Sequence, residues 1–325
     1  MKIKASYFCK KGLSLLLIFA VTFSGSVFCL SFQRQKNKTE EKNQKHSFPF
    51  TVAHNKTILL AKIGESRPLK LILDSGMGWD GMLIMNSNLK DSINLVNPKS
   101  ANIGGAGKGS VSTAVFADSM SFSIGDVEFN NQRIVVLQNS GFKGSSNDGV
   151  VGYSILGHYA VEVNFDNSTI NLHDPENLIV DSSWEVLPIL LKENNIPWVE
   201  AKIVVENETP VSLSCYIDCA SSEAIELLQK PEQKFSTPKE TKDVYLGRGL
   251  SGDIYGKTGN VAKVIFGSFE LKNVVVALAP AEVRSKQKGS DAVISNNLLR
   301  RFNLIFDYAH LKLYIKPNSH FNDPF

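Results

Sequence analysis

One order of landmarks occurs twice in this chain, and that duplication limits the possible folds more than any other feature. Residues 61–76 read AKIGESRPLKLILDSG and residues 201–222 read AKIVVENETPVSLSCYIDCASS, which aligns Asp74 with Asp218. A glycine-rich stretch follows each acid, IGGAGKG at 103–109 and LGRGLSG at 246–252. Next come FSIGDVEFNNQRIVVL and VIFGSFELKNVVVAL, each a strand, a glycine turn and a strand. The halves then reach DGVVGYSILGHYAVEVNFD and DAVISNNLLRRFNLIFD, which match Asp148 with Asp291. Asp74 to Asp148 is 74 residues and Asp218 to Asp291 is 73, and each half closes on a hairpin and a proline, Pro175 and Pro317. Landmarks kept in order at nearly equal spacing describe two copies of one unit, here divided as 47–180 and 181–325.

The unit is a β unit. Short runs such as TILLAKI, LKLILD, MSFSI, RIVVL and VEVNF are separated by Gly, Asn, Asp and Pro, the pattern of strands and tight turns. Helical candidates are short, at 154–159, 223–229 and 296–302. The expected class is all-β with a few short helices. With 325 residues and 43% hydrophobic content the chain can fill two cores. A net charge of +3, with no long basic run beyond the first residues, argues against nucleic acid as a partner.

Residues 1–32 read as an export segment. Lys2, Lys4, Lys10 and Lys11 precede a near-continuous apolar stretch at 13–23, and Ser24-Gly25-Ser26 offers small residues for cleavage. Two further readings stand beside a cleaved signal peptide. Cys29 is a candidate lipidated N-terminus, and residues 13–32 are long enough for an uncleaved membrane anchor. Each implies an exported protein, periplasmic, secreted or attached to the cell envelope. Residues 33–46, QRQKNKTEEKNQKH, form a polar linker. Of the four cysteines, Cys215 and Cys219 lie outside this region. Four residues apart on one strand puts their Cα atoms about 13 Å apart, beyond the roughly 7 Å limit of a disulfide, so no intramolecular disulfide is expected. No His or Cys spacing matches a zinc site, and no metal or cofactor is implied.

The chemistry is carried by strand ends. In Leu69-Lys70-Leu71-Ile72-Leu73-Asp74-Ser75-Gly76 an apolar strand ends in an acid, a hydroxyl and a glycine. A carboxylate there is costly to desolvate, and that desolvation tunes its pKa. The second half offers Asp218-Cys219-Ala220 at the matching place. Asp148 and Asp291 read as turn or cap residues of the short segments that follow them. Cys219 as a thiol nucleophile is disfavoured, since no histidine lies near it in sequence.

Two halves, each with an acid-hydroxyl-glycine-like turn, a glycine-rich hairpin and a later apolar-apolar-Gly segment, resemble the aspartic peptidases. The compact halves are similar to fused copies of the retroviral-type protease, and the whole is most similar to bacterial exported aspartyl-protease-like proteins. The resemblance covers residues 48–317. Asp74-Ser75-Gly76 and Val150-Val151-Gly152 match the family pattern; Asp218-Cys219-Ala220 and Val293-Ile294-Ser295 depart from it.

The resemblance implies two pseudo-symmetric retropepsin- or pepsin-like β-barrel lobes. It implies that Asp74 and Asp218 are catalytic, meeting across the pseudo-twofold axis to share one water and one proton. Ser75, Gly76, Cys219 and Ala220 would support the catalytic loops, with Cys219 a weak donor and Ala220 adding a methyl. Gly104, Gly105, Gly107, Gly247 and Gly249 would sit in flaps over an extended peptide or protein substrate, or else in plain hairpin turns. The implied activity is that of an exported aspartic endopeptidase, active on the acid side of neutral and monomeric. The alternative is a catalytically inactive relative that binds a peptide or cell-envelope ligand.

Overall fold

Leu69, Leu71 and Leu73 are fully buried and alternate with the exposed Lys70, the period of two that makes a strand. Ile72, on the other face, is buried as well. Leu213, Cys215 and Ile217 repeat this pattern in the second half. Buried on both faces, these two strands sit at the centres of two sheets.

The structure, a computed structural model, describes residues 46–138, 141–142, 145–284 and 287–325. The export segment expected at 1–32 and all but the last residue of the 33–46 linker lie outside the described residues. The first half contributes β1 (His46–Pro49), β2 (Thr51–Ala53), β3 (Lys56–Lys62), β4 (Leu69–Leu73), β5 (Gly81–Ile84), β6 (Lys99–Ile103), β7 (Ser112–Ile124), β8 (Val127–Leu137), β9 (Gly149–Val151), the one-turn helix α1 (Tyr153–Leu156), β10 (Ala160–Asn164) and β11 (Thr169–His173). The second contributes β12 (Glu185–Pro188), β13 (Leu190–Lys192), β14 (Ile196–Val204), β15 (Val211–Asp218), β16 (Ile225–Gln229), β17 (Thr241–Gly249), β18 (Gly252–Phe266), β19 (Phe269–Pro280), β20 (Ala292–Ser295), α2 (Asn296–Leu299), β21 (Phe302–Asp307) and β22 (Lys312–Pro317).

The sheets carry the duplication strand for strand. One eight-stranded sheet runs β2-β3-β4-β9-β5-β8-β7-β6 and the other β13-β14-β15-β20-β16-β19-β18-β17. The third, six-stranded sheet runs β1-β11-β10-β21-β22-β12. Its pseudo-twofold axis passes between β10 and β21, where Glu162 faces Ile305. Each half supplies three of its strands, so this sheet joins the two lobes. In both large sheets the acid-bearing strand pairs in parallel with the strand that follows Asp148 or Asp291: Leu71 with Gly149, and Cys215 with Ala292. Among the described residues the fold is therefore all-β with two short helices.

Two sequence expectations are corrected. Residues 223–229 are not helical; Ile225–Gln229 is β16, parallel to β19 and antiparallel to β20. Its Glu and Leu residues favour a helix, but Ile225, Leu227 and Leu228 are buried between two strands, and tertiary pairing overrides that preference. The helices at 154–159 and 296–302 are each confined to one turn.

The second correction concerns Asp148 and Asp291, which cap neither helix. Gly152 and Ser295 stand at those positions, without side-chain bonds to the helix. Asp148 instead accepts both terminal nitrogens of Arg67 at 2.8 Å, the Lys70 amide at 2.9 Å and Asn86 Nδ2 at 3.0 Å. Asp291 accepts the Ser214 amide at 3.0 Å, Lys230 Nζ at 2.9 Å and Lys234 Nζ at 2.6 Å. Each acid thus ties its own strand to the central acid-bearing strand.

Burial raises both carboxyls, and the cations and amides around them more than offset it, leaving both below the ordinary carboxylate range. A lowered native pKa adds stability above the unfolded value, near 4, and loses it as pH falls through the native value. The thermal midpoint is therefore expected to drop steeply below about pH 4. Asp148→Ala, which leaves buried donors without an acceptor, is expected to cost about 2 kcal/mol at neutral pH and to flatten that acid limb. Thermal unfolding followed from pH 7 to pH 2 in both proteins checks this.

Candidate functional site

β4 and β15 end side by side at Asp74 and Asp218. The Gly76 amide donates to Asp74 Oδ1 at 2.8 Å, and the Ala220 amide donates to Asp218 Oδ1 at 3.0 Å. The turns beyond them match too: the Met77 amide meets Asp74 O and the Ser221 amide meets Asp218 O, both at 3.2 Å. A methyl placed on Gly76 would lie 3.1 Å from Asp74 Oδ1 and 3.9 Å from Asp218 Oδ1. Both carboxyl groups therefore lie within 3.9 Å of one point beside Gly76.

Ser75 holds the two loops together. Its Oγ donates to Ile217 O at 2.8 Å, accepts from the Cys219 amide at 3.1 Å and lies 3.4 Å from Cys219 Sγ. A single hydroxyl thus fixes both sides of the axis, which is why a weakly bonding thiol is tolerated opposite it. Burial pushes the Cys219 thiol up to about 12, so it is neutral and a poor nucleophile. Ala220 supplies the same amide as Gly76, and its side chain packs in the cluster holding Met77 and Leu250.

The departure at Ser295 has a backbone cause. At Gly152 a Cβ would lie 2.1 Å from Asp74 O and 2.6 Å from Met77 O. Gly152 has φ −141° and ψ −92°, whereas Ser295 is extended at φ −122° and ψ 174°. The second lobe thus leaves its strand along another path and admits a side chain.

Burial raises Asp74 to about 7, and the neighbouring Asp218 carboxylate pushes in the same direction. The Gly76 and Met77 amides and Arg284 pull the other way. Sequence reasoning missed Arg284. It sits in the 3-10 turn Ala281–Arg284 after β19, and its side chain is 11% exposed. Its Nη1 donates to Asp218 Oδ2 at 3.2 Å, while Nε and Nη2 clamp the two oxygens of Glu226 on β16 at 3.0 and 2.9 Å. Burial disfavours the guanidinium charge, and Glu226 with Asp218 more than offsets it. Partners 58 residues apart leave no local signal in sequence.

The glycine-rich stretches meet tip to tip. Residues 104–111 join β6 to β7, and Leu250-Ser251 joins β17 to β18. The Gly105 amide donates to Ser251 Oγ at 3.1 Å, the Ser251 amide to Ala106 O at 2.9 Å, and Ser112 Oγ to Leu250 O at 3.1 Å. Gly107 has φ +113°, and a Cβ there would lie 2.7 Å from Gly252 O. Gly104 and Gly249 also lie at this contact; Gly247 pairs with Ile254 at a register shift in β17, and a Cβ there would meet nothing within 4 Å. Leu250 reaches the cluster of Ile72, Met77 and Leu83, so the second tip extends over the acid-bearing loop of the first lobe. Among the described residues no group of His, Cys, Asp and Glu could hold a metal ion.

The paired lobes and joining sheet are similar in fold to a solved aspartic proteinase. The solved aspartic proteinase from Irpex lacteus is similar over 86% of this chain and 99% of its own, with a TM-score of 0.54 and 13% sequence identity. No family model and no curated protein matches the sequence.

Proposed function

We propose that the chain is an exported aspartic-type endopeptidase that hydrolyses peptide bonds with a water activated by Asp74 and Asp218. The observation that carries this reading is the approach of both carboxyl groups to one point beside Gly76, with Asp74 raised to about 7. Two acids so close cannot both ionise cheaply, so one keeps a proton. The ionised partner takes a proton from the water as its oxygen adds to the peptide carbonyl. The protonated partner gives its proton to the carbonyl oxygen, forming a gem-diol. On collapse, the proton taken from water passes to the leaving nitrogen, a gem-diol hydroxyl returns a proton to the other acid, and the C–N bond breaks.

The substrate is an extended peptide or protein segment under the two hairpins, held by backbone hydrogen bonds. The chain acts as a monomer, since its own halves supply both acids. The positive, then apolar, N-terminal segment supports export to a periplasmic, extracellular or envelope-attached location.

A screen against a peptide library across pH tests the reading. Cleavage is expected on the acid side of neutral, falling as pH rises through about 7 and Asp74 loses its proton. One observation favours a second reading, that of a peptide-binding relative without catalysis: Asp218 is already engaged by a buried arginine. Binding of a transition-state-mimicking peptide without cleavage at any pH would favour it.

A further inference from the structure

We propose that Arg284, held by Glu226, is a positioning residue that breaks the symmetry of the acid pair, making Asp218 the partner that carries the charge and Asp74 the one that carries the proton. This rests on the peptidase reading for its consequence but on geometry for its substance. The duplication makes the two acids match in the bonds of their turns. Each Oδ1 takes the amide two residues on, and each backbone carbonyl takes the amide three residues on. The other oxygen of Asp218 alone meets a guanidinium, at 3.2 Å.

Glu226 fixes this contact. Its two oxygens accept Nε and Nη2, a planar fork that leaves Nη1 aimed at Asp218. Both acids of the trio are buried, and removal of either would leave the arginine charge partly uncompensated.

Of the other groups facing the pair, Lys56 leans the same way through space, and the rest are neutral or acidic. Tyr216 on β15 and Tyr308 after β21 are buried phenols raised by burial, and Cys219 is a neutral thiol. Lys56 on β3 and Glu223 before β16 act through space, and Lys56 interacts more strongly with Asp218 than with Asp74, in the same sense as Arg284. Lys56 is itself lowered by burial, and Glu223 is raised by it.

In the reaction, Asp218 then accepts the proton from water and Asp74 delivers its proton to the carbonyl oxygen, while Arg284 exchanges no proton. The turn that carries Arg284 is also tied to the first hairpin tip. The Gly107 amide donates to Val283 O at 3.0 Å, and Lys108 pairs with Glu282 at 2.7 Å. The closed hairpin and the placed arginine thus share one segment of four residues.

Carbon-13 NMR of the aspartate carboxyl groups, titrated with pH in the full chain, tests the assignment without any need for cleavage. The Asp74 signal is identified by its loss in Asp74→Asn. Its midpoint is expected near 7 in the native protein. Arg284→Gln is expected to move it up by about one pH unit or more, because a nearby cation is removed. Glu226→Gln is expected to move it down, because the arginine charge is then less neutralised. Arg284→Lys, which keeps the cation, is expected to hold it within about half a unit of native. Opposite shifts in the two Gln variants are not a consequence of loosened packing. If Arg284→Gln does not fold by circular dichroism, Glu226→Gln and Arg284→Lys carry the test. An Asp74 midpoint unmoved in the folded Gln variants, or moved the same way in both, overturns the proposal. Absence of peptide cleavage by a native protein that shows these shifts would instead count against the peptidase reading alone.

Discussion

Asp74→Asn is expected to abolish peptide hydrolysis, lowering kcat by about ten-thousandfold or more, while the protein stays folded. The carboxyl is the one that holds the proton up to about pH 7, and an amide cannot deliver it to the carbonyl oxygen. Asp218→Asn is expected to be as severe, since it removes the acceptor for the proton of the attacking water. The double variant should be no worse than either single one, because two groups that act as a unit are not additive. Stability separates this loss from misfolding. A carboxyl raised by burial binds more protons in the folded state, so folding weakens as pH rises between about 4 and 7. Asparagine removes that cost, and the thermal midpoint of Asp74→Asn at pH 7.5 is expected to equal or exceed that of the native chain. Cleavage of a library-selected fluorogenic peptide, with a melting curve on the same samples, measures both. Hydrolysis retained by Asp74→Asn would end the dyad assignment.

The duplicated all-β unit was legible because a period-two alternation survives in each half: Leu69, Leu71 and Leu73 against Leu213, Cys215 and Ile217. The acids were legible because the duplication aligns Asp74 with Asp218; a single strand-end aspartate is more often a turn former. The glycine stretches marked the hairpins, since Gly107 sits at a positive φ against a neighbouring backbone.

What was not legible depends on distance in sequence. Ile225–Gln229 has helix-forming residues, and only its two neighbouring strands make it a strand. Reading it as a helix also hid Glu226, and without Glu226 nothing singles out Arg284 among the chain's basic residues. Asp148 and Asp291 were matched by the duplication, but their partners differ between halves: one arginine fork in the first, two lysines in the second. The spacing thus held the acid in place while the cations around it changed, and a single sequence cannot pair a fixed acid with a changing cation.

The hairpin contact gives the second large effect. Gly249→Val is expected to leave both lobes folded and to lower kcat/KM by about 10- to 100-fold. Its backbone needs no left-handed conformation, so strain within its own strand is not the cause. A Cβ at Gly249 would lie 2.2 Å from Ala106 O and 2.6 Å from Ala106 C, which are backbone atoms of the opposite tip. Neither can rotate away, so the tips must separate. The hydrogen bonds from the Gly105 and Ser251 amides then lengthen, and Leu250 withdraws from the cluster beside the first acid. A roof held open admits water and holds an extended peptide less firmly, so the loss should appear in KM as well as kcat. Gly247→Val is the control. That glycine is on the same strand with open space around it, but it has φ +129°, so its cost falls on its own hairpin and not on the opposite tip. Amide hydrogen exchange decides between them. Gly249→Val is expected to speed exchange at Gly105 and Gly107 on the first hairpin, whereas Gly247→Val should change only residues of the second. Native exchange rates at Gly105 and Gly107 in Gly249→Val would mean that the tips do not hold each other closed.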